Sequence, residues 1–194
     1  MKAFVINLES RKDRMVDFRK NNFPFEVKRF NAIKATPGWV GCANSHLAIM
    51  REQKEFPFVI FEDDCVLLDS WDKVERAMIQ LPVDWDALWL GASQSRIIGR
   101  YSENLFTMRD VYCHHSVIYN SQRIVDFYIN NYYQSGLPID AFSASVVTYN
   151  FNCFLLDPMI TRQIVGFSDI ENKVVDYAPW FNNLQNVLNT HPKK

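Results

Sequence analysis

Phe58-Val59-Ile60-Phe61-Glu62-Asp63-Asp64 is an apolar run that ends in three consecutive carboxylates. Four large apolar residues without alternation read as a strand buried on both faces, as parallel strands of α/β sheets are. Acids at the C-terminal end of such a strand sit where open α/β sheets bind ligands. Three adjacent anions repel one another unless some are solvated, protonated or neutralised, and hard oxygen donors of this kind suit Mg²⁺ or Mn²⁺ rather than zinc. The run therefore reads either as a cation site that carries phosphate or as a polar loop entry after a core strand.

Outward from this run, strands and helices alternate. Ala3 to Leu8 is a short apolar strand, with Ser10 as an N-cap for a charged helix from about Arg11 to Lys20. Glu26 to Ile33 reads as a second strand, and Thr36-Pro37-Gly38 breaks the chain before a helix that carries Ser45, His46, Leu47 and Met50. After the acids, Asp69-Ser70 caps a helix in which Val74, Ala77, Met78 and Leu81 recur at helical spacing, and Pro82 marks its end. Ala87 to Leu90 is another buried strand, stopped by Gly91. Arg96 to Arg109 has mixed charge and little periodicity, which predicts a long surface loop of the kind that can serve as a lid. Val111 to Tyr119 reads as a strand, Ser121 as the cap of a helix to about Tyr132 that Gly136 ends, and Phe151 to Leu156 as a further strand. Beyond Pro158 the expectation is loop-rich chain with a fraying basic end, His191-Pro192-Lys193-Lys194.

Composition bounds the class. A chain of 194 residues that is 48% hydrophobic should form one domain and bury about 70% of its unfolded surface. A net charge of −1 argues against general nucleic-acid binding. Cys42, Cys65, Cys113 and Cys153 are scattered in apolar contexts that suit buried free thiols and a reducing compartment. The apolar part of Met1 to Asn7 is too short for a signal sequence and no run approaches a membrane span, so a soluble cytoplasmic protein is expected. Lys193 and Lys194 would support at most peripheral contact with anionic lipid, at about 1 kcal/mol each.

The glycines exclude two common phosphate sites. No G-x-G-x-x-G and no G-x-x-x-x-G-K-[ST] occurs, which removes a typical dinucleotide fold, a P-loop and a Walker-B reading of the acids. The threonine expected downstream in a phosphoaspartyl hydrolase is missing too. A cation holding a diphosphate leaving group remains. His114 and His115 beside Cys113 invite a zinc reading, but neighbours on a strand face opposite ways and no second ligand pair has matching spacing.

Six short motifs appear in order: Ile6-Asn7-Leu8 with Arg11, Asp13 and Arg14; Gly41-Cys42 with Ser45-His46; Phe61-Glu62-Asp63-Asp64; Leu90-Gly91; Pro138-x-Asp140; and Ser168-Asp169-Ile170. Together they resemble glycosyltransferase family 25, which includes lipooligosaccharide and collagen galactosyltransferases, over about Ala3 to Ile170. The resemblance implies a GT-A-type α/β fold, with a mixed, mostly parallel central sheet flanked by helices. It also implies a metal-dependent inverting glycosyltransferase that moves a hexose, usually galactose, from a UDP-sugar to a glycan acceptor hydroxyl. A non-catalytic nucleotide-sugar or glycan-binding domain and a nucleotide-sugar hydrolase are the rival functions.

Each motif then acquires an expected role. Residues two apart on an extended strand end share a side, so Glu62 and Asp64 are the ligands expected for Mn²⁺ or Mg²⁺, with Asp63 turned toward sugar or ribose. Asn7, Leu8, Arg11 and Arg14 lie where a guanidinium fork and helix N–H groups could engage phosphate, although charged first turns are often only solvated faces. Ser45, His46 and Gly91 join the donor site by their places in the motifs, and His115 is a reserve contact to diphosphate or metal, as in several GT-A enzymes. Asp140 is the expected base, or simply a helix cap whose position near a helix N-terminus favours ionisation. Asp169 is the second choice as base.

Overall fold

A computed structural model describes residues 1–192; Lys193 and Lys194, on which the expectation of lipid contact rests, lie outside the described residues. The run that ends in acids forms β3 (Phe58–Glu62), and its alternate side chains enter two different apolar clusters. Phe58 and Ile60 join one, Val59 and Phe61 the other, and all four are fully buried. That two-sided burial is the reason for the unbroken apolar run, each such side chain contributing about 1.5–3 kcal/mol of transfer free energy.

The elements in chain order are β1 (Lys2–Asn7), α1 (Lys12–Phe18), β2 (Lys28–Asn31), α2 (Gly38–Glu52), β3, β4 (Cys65–Leu67), α3 (Asp72–Met78), β5 (Ala87–Trp89), β6 (Gln94–Ser102), β7 (Leu105–Tyr112), β8 (Ser116–Tyr119) and α4 (Gln122–Ser135). Next come α5 (Ile139–Phe142), a π-helical turn (Ser143–Val147), α6 (Thr148–Asn150), β9 (Cys153–Leu156), β10 (Thr161–Gln163), β11 (Gly166–Ser168), β12 (Lys173–Val175) and α7 (Ala178–Asn189). Eight strands make one mixed sheet in the order β2-β1-β3-β8-β5-β9-β7-β6. β1 runs parallel to both β2 and β3, and β5 parallel to β9, whereas β8 lies antiparallel between β3 and β5. Helices α2, α4 and α7 pack on the face reached by Phe58 and Ile60; α1 and α3 cover the other. The molecule is a mixed α/β layer structure with helices on both sides of the sheet.

Several boundaries differ from expectation for physical reasons. Helix α1 starts at Lys12 with Arg11 as its first flanking residue and no side-chain cap, so Ser10 does not cap it. The stretch Arg96 to Arg109 is not a loop: β6 and β7 form a hairpin at the sheet edge, where one side of β6 faces solvent and carries charge. Its register shifts at three places, which breaks the period-two pattern. Val111 to Tyr119 is interrupted at Cys113, whose φ of 82° turns the chain so that His114 and His115 leave the strand. Beyond Pro158 the chain holds two short strand pairings and α7, whose Phe181, Leu184 and Leu188 are buried at helical spacing. Ser121 does cap α4, its hydroxyl accepting from Ile124 N at 3.3 Å, and Gly136 ends that helix with a φ of 65°. Among the described residues no helix is long and apolar enough to cross a membrane.

Candidate functional site

A cleft of about 850 Å³ opens at the C-terminal ends of β1 and β3. Its walls include Leu8 and Arg14 after β1, Trp39 and Cys42 from α2, Glu62, Asp63 and Asp64 after β3, Cys113 and His114 after β7, and Asp140 from α5. The segment from Ser168 to Tyr177, which includes Asp169 and the β12 strand, forms the remaining side. Residues separated by up to about 170 positions thus meet at one sheet edge, the place where α/β folds bind ligands.

Alternation along β3 decides where the first acid points. Glu62 has the parity of Phe58 and Ile60, so it projects to the α2 side, and its Oε1 lies 3.1 Å from His46 Nε2 and 3.4 Å from Cys42 Sγ. The Gly41-Cys42-x-x-Ser45-His46 motif resolves into two pairs spaced i, i+4 on α2. Cys42 and His46 face Glu62. Gly41 and Ser45 face the Ile33–Ala35 loop instead: Ser45 Oγ accepts from Ile33 N and donates to the Gly41 carbonyl, both at 2.8 Å. A methyl group on Gly41 would collide with the Ile33 carbonyl oxygen and sit 2.9 Å from Ala35 N. Ser45 is fully buried and holds the cleft wall rather than lining it.

The chain turns after Glu62, and the next two acids go to different partners. Asp63 is nearly buried; it accepts from Asn7 Nδ2 at 2.7 Å and from Arg14 NH1 at 2.8 Å. Asn7 is fixed in turn by donating to the Arg11 carbonyl at 2.9 Å and accepting from Arg29 Nε at 2.8 Å. Asp64 Oδ2 takes a bond from Gln163 Nε2 at 3.3 Å and lies 3.5 Å from Arg14 NH1. Its Oδ1 is buried with no partner among the described residues. A buried carboxylate oxygen left over in a site rich in acids could accept a cation.

The titration behaviour follows from these surroundings. Burial, and then the charge of Glu62, raise Asp64 to about 7. For Glu62, burial works toward protonation, but the His46 hydrogen bond and the charge of the neighbouring imidazoles outweigh it and hold the carboxyl below its usual range. Asp63 rises chiefly through burial, which Arg14 and Asn7 offset in part. Burial drives the His114 imidazole well down and that of His115 to about 4, so both are neutral at pH 7.

The other expected residues are distributed as follows. Arg11 pairs with Asp13 at 2.9 Å and with Asp169, and it donates to the Phe167 carbonyl at 3.2 Å. Arg14 NH2 donates to the same carbonyl at 2.7 Å, so two arginines tie the β11 strand to the β1 end of the cleft. Asp169 is engaged by Arg11. Asp140 sits in the first turn of α5, bonded to Ala141 N at 2.7 Å, while Pro138 is the flanking residue. It does not follow the expected helix-end effect: burial is the largest influence and raises its pKa, since a helix of four residues has little field to oppose it. His115 stands outside the cleft lining, with Nε2 3.2 Å from Thr161 Oγ1 and its ring against Phe181. Gly91 is also outside; a side chain there would collide with the Thr161 carbonyl, so packing demands the glycine.

Cys42, His114, Trp39 and Gln163 line the cleft without having been singled out as site residues. The i, i+4 spacing of Cys42 to His46 was a usable signal; Gln163 carried none, because it arrives on β10 through pairing with β4. No protein-family model and no curated protein matches the sequence. The fold is similar to that in the crystal structure of the viral protein A197 from STIV, with a TM-score of 0.50 and 11% identity over 90% of this chain and 93% of that one.

Proposed function

We propose that the protein is a metal-dependent inverting glycosyltransferase of GT-A type, related to glycosyltransferase family 25, that transfers a hexose from a UDP-sugar to a glycan hydroxyl. The observation that carries this reading is the meeting, in one cleft, of an acidic strand end with an unpartnered Asp64 oxygen, the guanidinium of Arg14 and a separate, partly buried carboxylate, Asp140. Inverting transfer needs charge neutralisation on the leaving diphosphate and a base on the opposite face of the sugar. A divalent ion on Asp64 and Glu62 would supply the neutralisation as a Lewis acid.

The protein's own groups divide the remaining work. Arg14 lies beside Asp63 and Asp64 and could exchange them for phosphate oxygens, a geometry that suits a planar guanidinium. Trp39 and Leu8, on the β1 and α2 side of the cleft, offer an apolar surface for the nucleoside. Asp140, with its basicity raised by burial, takes the proton from the acceptor hydroxyl as that oxygen bonds to the anomeric carbon.

A panel of UDP-sugars with Mn²⁺ or Mg²⁺ tests the reading. UDP release should occur slowly without acceptor, rise with a glycan acceptor, and disappear in Asp64→Asn. Binding without turnover would leave a nucleotide-sugar-binding domain, and fast release insensitive to any acceptor would leave a hydrolase. Absence of both binding and turnover sinks the proposal.

A further inference from the structure

We propose that Cys42, His46 and Glu62 form a binding site for a thiophilic divalent cation, zinc by its donor set, which borders the hard-cation position through Glu62 but does not use Asp64. The inference goes beyond the transferase reading and does not depend on turnover.

Geometry carries it. Cys42 Sγ, His46 Nε2 and Glu62 Oε1 lie within 4.8 Å of one another. Tetrahedral zinc, with Zn–S of about 2.3 Å and Zn–N and Zn–O of about 2.0 Å, sets S···O near ~3.5 Å and N···O near ~3.3 Å. The observed separations are 3.4 Å and 3.1 Å. Both edges that meet at Glu62 Oε1 are therefore already spaced as in a zinc tetrahedron, and the third, between Cys42 and His46, lies within 4.8 Å. Two of the three come from adjacent turns of one helix and the third from the end of a buried strand, so the set is held by rigid elements.

The chemistry agrees with the spacing. A thiolate and an imidazole select zinc and its thiophilic neighbours over Mg²⁺ and Mn²⁺, whereas Asp64 offers oxygen alone. Cys42 and Glu62 both border the cleft, so the fourth coordination position opens toward its interior, as in catalytic rather than structural zinc sites. Coordination requires the Cys42 thiol to lose its proton to solvent while the Zn–S bond forms. The His46 ring must keep its proton on Nδ1, leaving the Nε2 lone pair for the metal. Nδ1 has no partner among the described residues that would forbid this tautomer. Glu62 contributes Oε1 as a carboxylate, and no oxidant or reductant is involved.

Cobalt is the probe, because thiolate ligation gives a near-ultraviolet charge-transfer band that oxygen and nitrogen ligands do not. Metal-free protein titrated with Co²⁺ should develop that band to one equivalent, and Zn²⁺ should bleach it. Cys42→Ser should abolish the band and weaken Zn²⁺ binding by about 100-fold or more, while Cys113→Ser and Asp64→Asn should keep it. A wild-type complex without the band, or a band that survives in Cys42→Ser, overturns the site. Loss of the band in Asp64→Asn would merge the two cation positions and overturn it equally. Should Cys42→Ser fail to fold, mapping of alkylated cysteines in the wild type decides: Zn²⁺ must protect Cys42, and its unhindered alkylation with Zn²⁺ present refutes the proposal. A charge-transfer band without any UDP release would retain this site and reject the transferase.

Discussion

Arg14 donates to Asp63 at 2.8 Å from a neighbouring helix, and this ion pair is the most enclosed of the arginine pairs around the cleft. Arg11, three residues earlier, pairs instead with the more exposed Asp13 and Asp169. Arg14→Ala would leave Asp63 almost buried and uncompensated in charge, with only the Asn7 amide donating to it, which costs about 3 kcal/mol. Arg11→Ala should cost no more than about 1 kcal/mol, since solvent screens its partners. Urea unfolding of the two variants measures the contrast; equal losses would show that the burial difference has no energetic meaning.

Asp64 should make the metal-free protein less stable as pH rises. Its folded pKa of about 7 lies above the unfolded value of 3.8, so the native state holds the proton more tightly. The stabilisation is complete below 3.8 and is lost as pH climbs through about 7. Asp64→Asn is thus expected to raise stability at pH 8 by about 1–3 kcal/mol, discounting the shift for partial exposure, and to change little at about pH 3. At roughly 2–4 °C per kcal/mol the gain is visible in thermal melts with chelator present. A variant that melts lower than wild type at pH 8 would contradict the assignment.

Asp140→Asn should lower the transfer rate by about 100- to 10,000-fold while donor affinity is retained. Because burial raises the Asp140 pKa, the acid limb of the kcat/KM profile should lie above the ordinary carboxylate range and vanish in the variant. An unchanged acid limb would move the base elsewhere.

Gly41→Ala tests the approach of α2 to the Ile33–Ala35 loop. Helix propensity alone favours alanine by about 1 kcal/mol, yet the added methyl meets backbone atoms that have nowhere to move. The expected net effect is a loss of about 2–3 kcal/mol, accompanied by altered reactivity of Cys42. Gly99, where an added methyl meets nothing within 4 Å, is the control and should be neutral or slightly stabilised by the same change. Thiol titration and chemical denaturation of both variants provide the readout.

What could be read ahead of the structure is what local physics enforces. The β3 run was legible because both of its faces are buried, and Ser121 and Gly136 because cap and left-handed stop act within a few residues. Helix α7 was not, since four asparagines dilute the Phe181, Leu184 and Leu188 stripe. The direction of the three acids was partly legible: parity along β3 sends Glu62 to α2, but the turn at Asp63 and Asp64 ends the alternation. The environment of Cys42 was misjudged because its sequence neighbours are apolar, whereas its spatial neighbours, one helical turn and one strand away, are His46 and Glu62. The ties of Arg11 and Arg14 to Phe167 arise from tertiary closure over more than 150 residues, which no local pattern encodes.

The irregular hairpin at the sheet margin has a consequence for how copies of the protein meet one another. An outermost strand with a free row of N–H and C=O groups can recruit the same strand of a second molecule and grow into an aggregate. In β6 the exposed Arg96 and the three register shifts make that row charged and uneven, while Arg100 turns inward to pair with Asp157. The opposite margin, β2, is only four residues long and begins Lys28-Arg29. Both open margins are therefore blunted against self-association, by the same mixed charge and broken periodicity that make the β6 segment look like a loop.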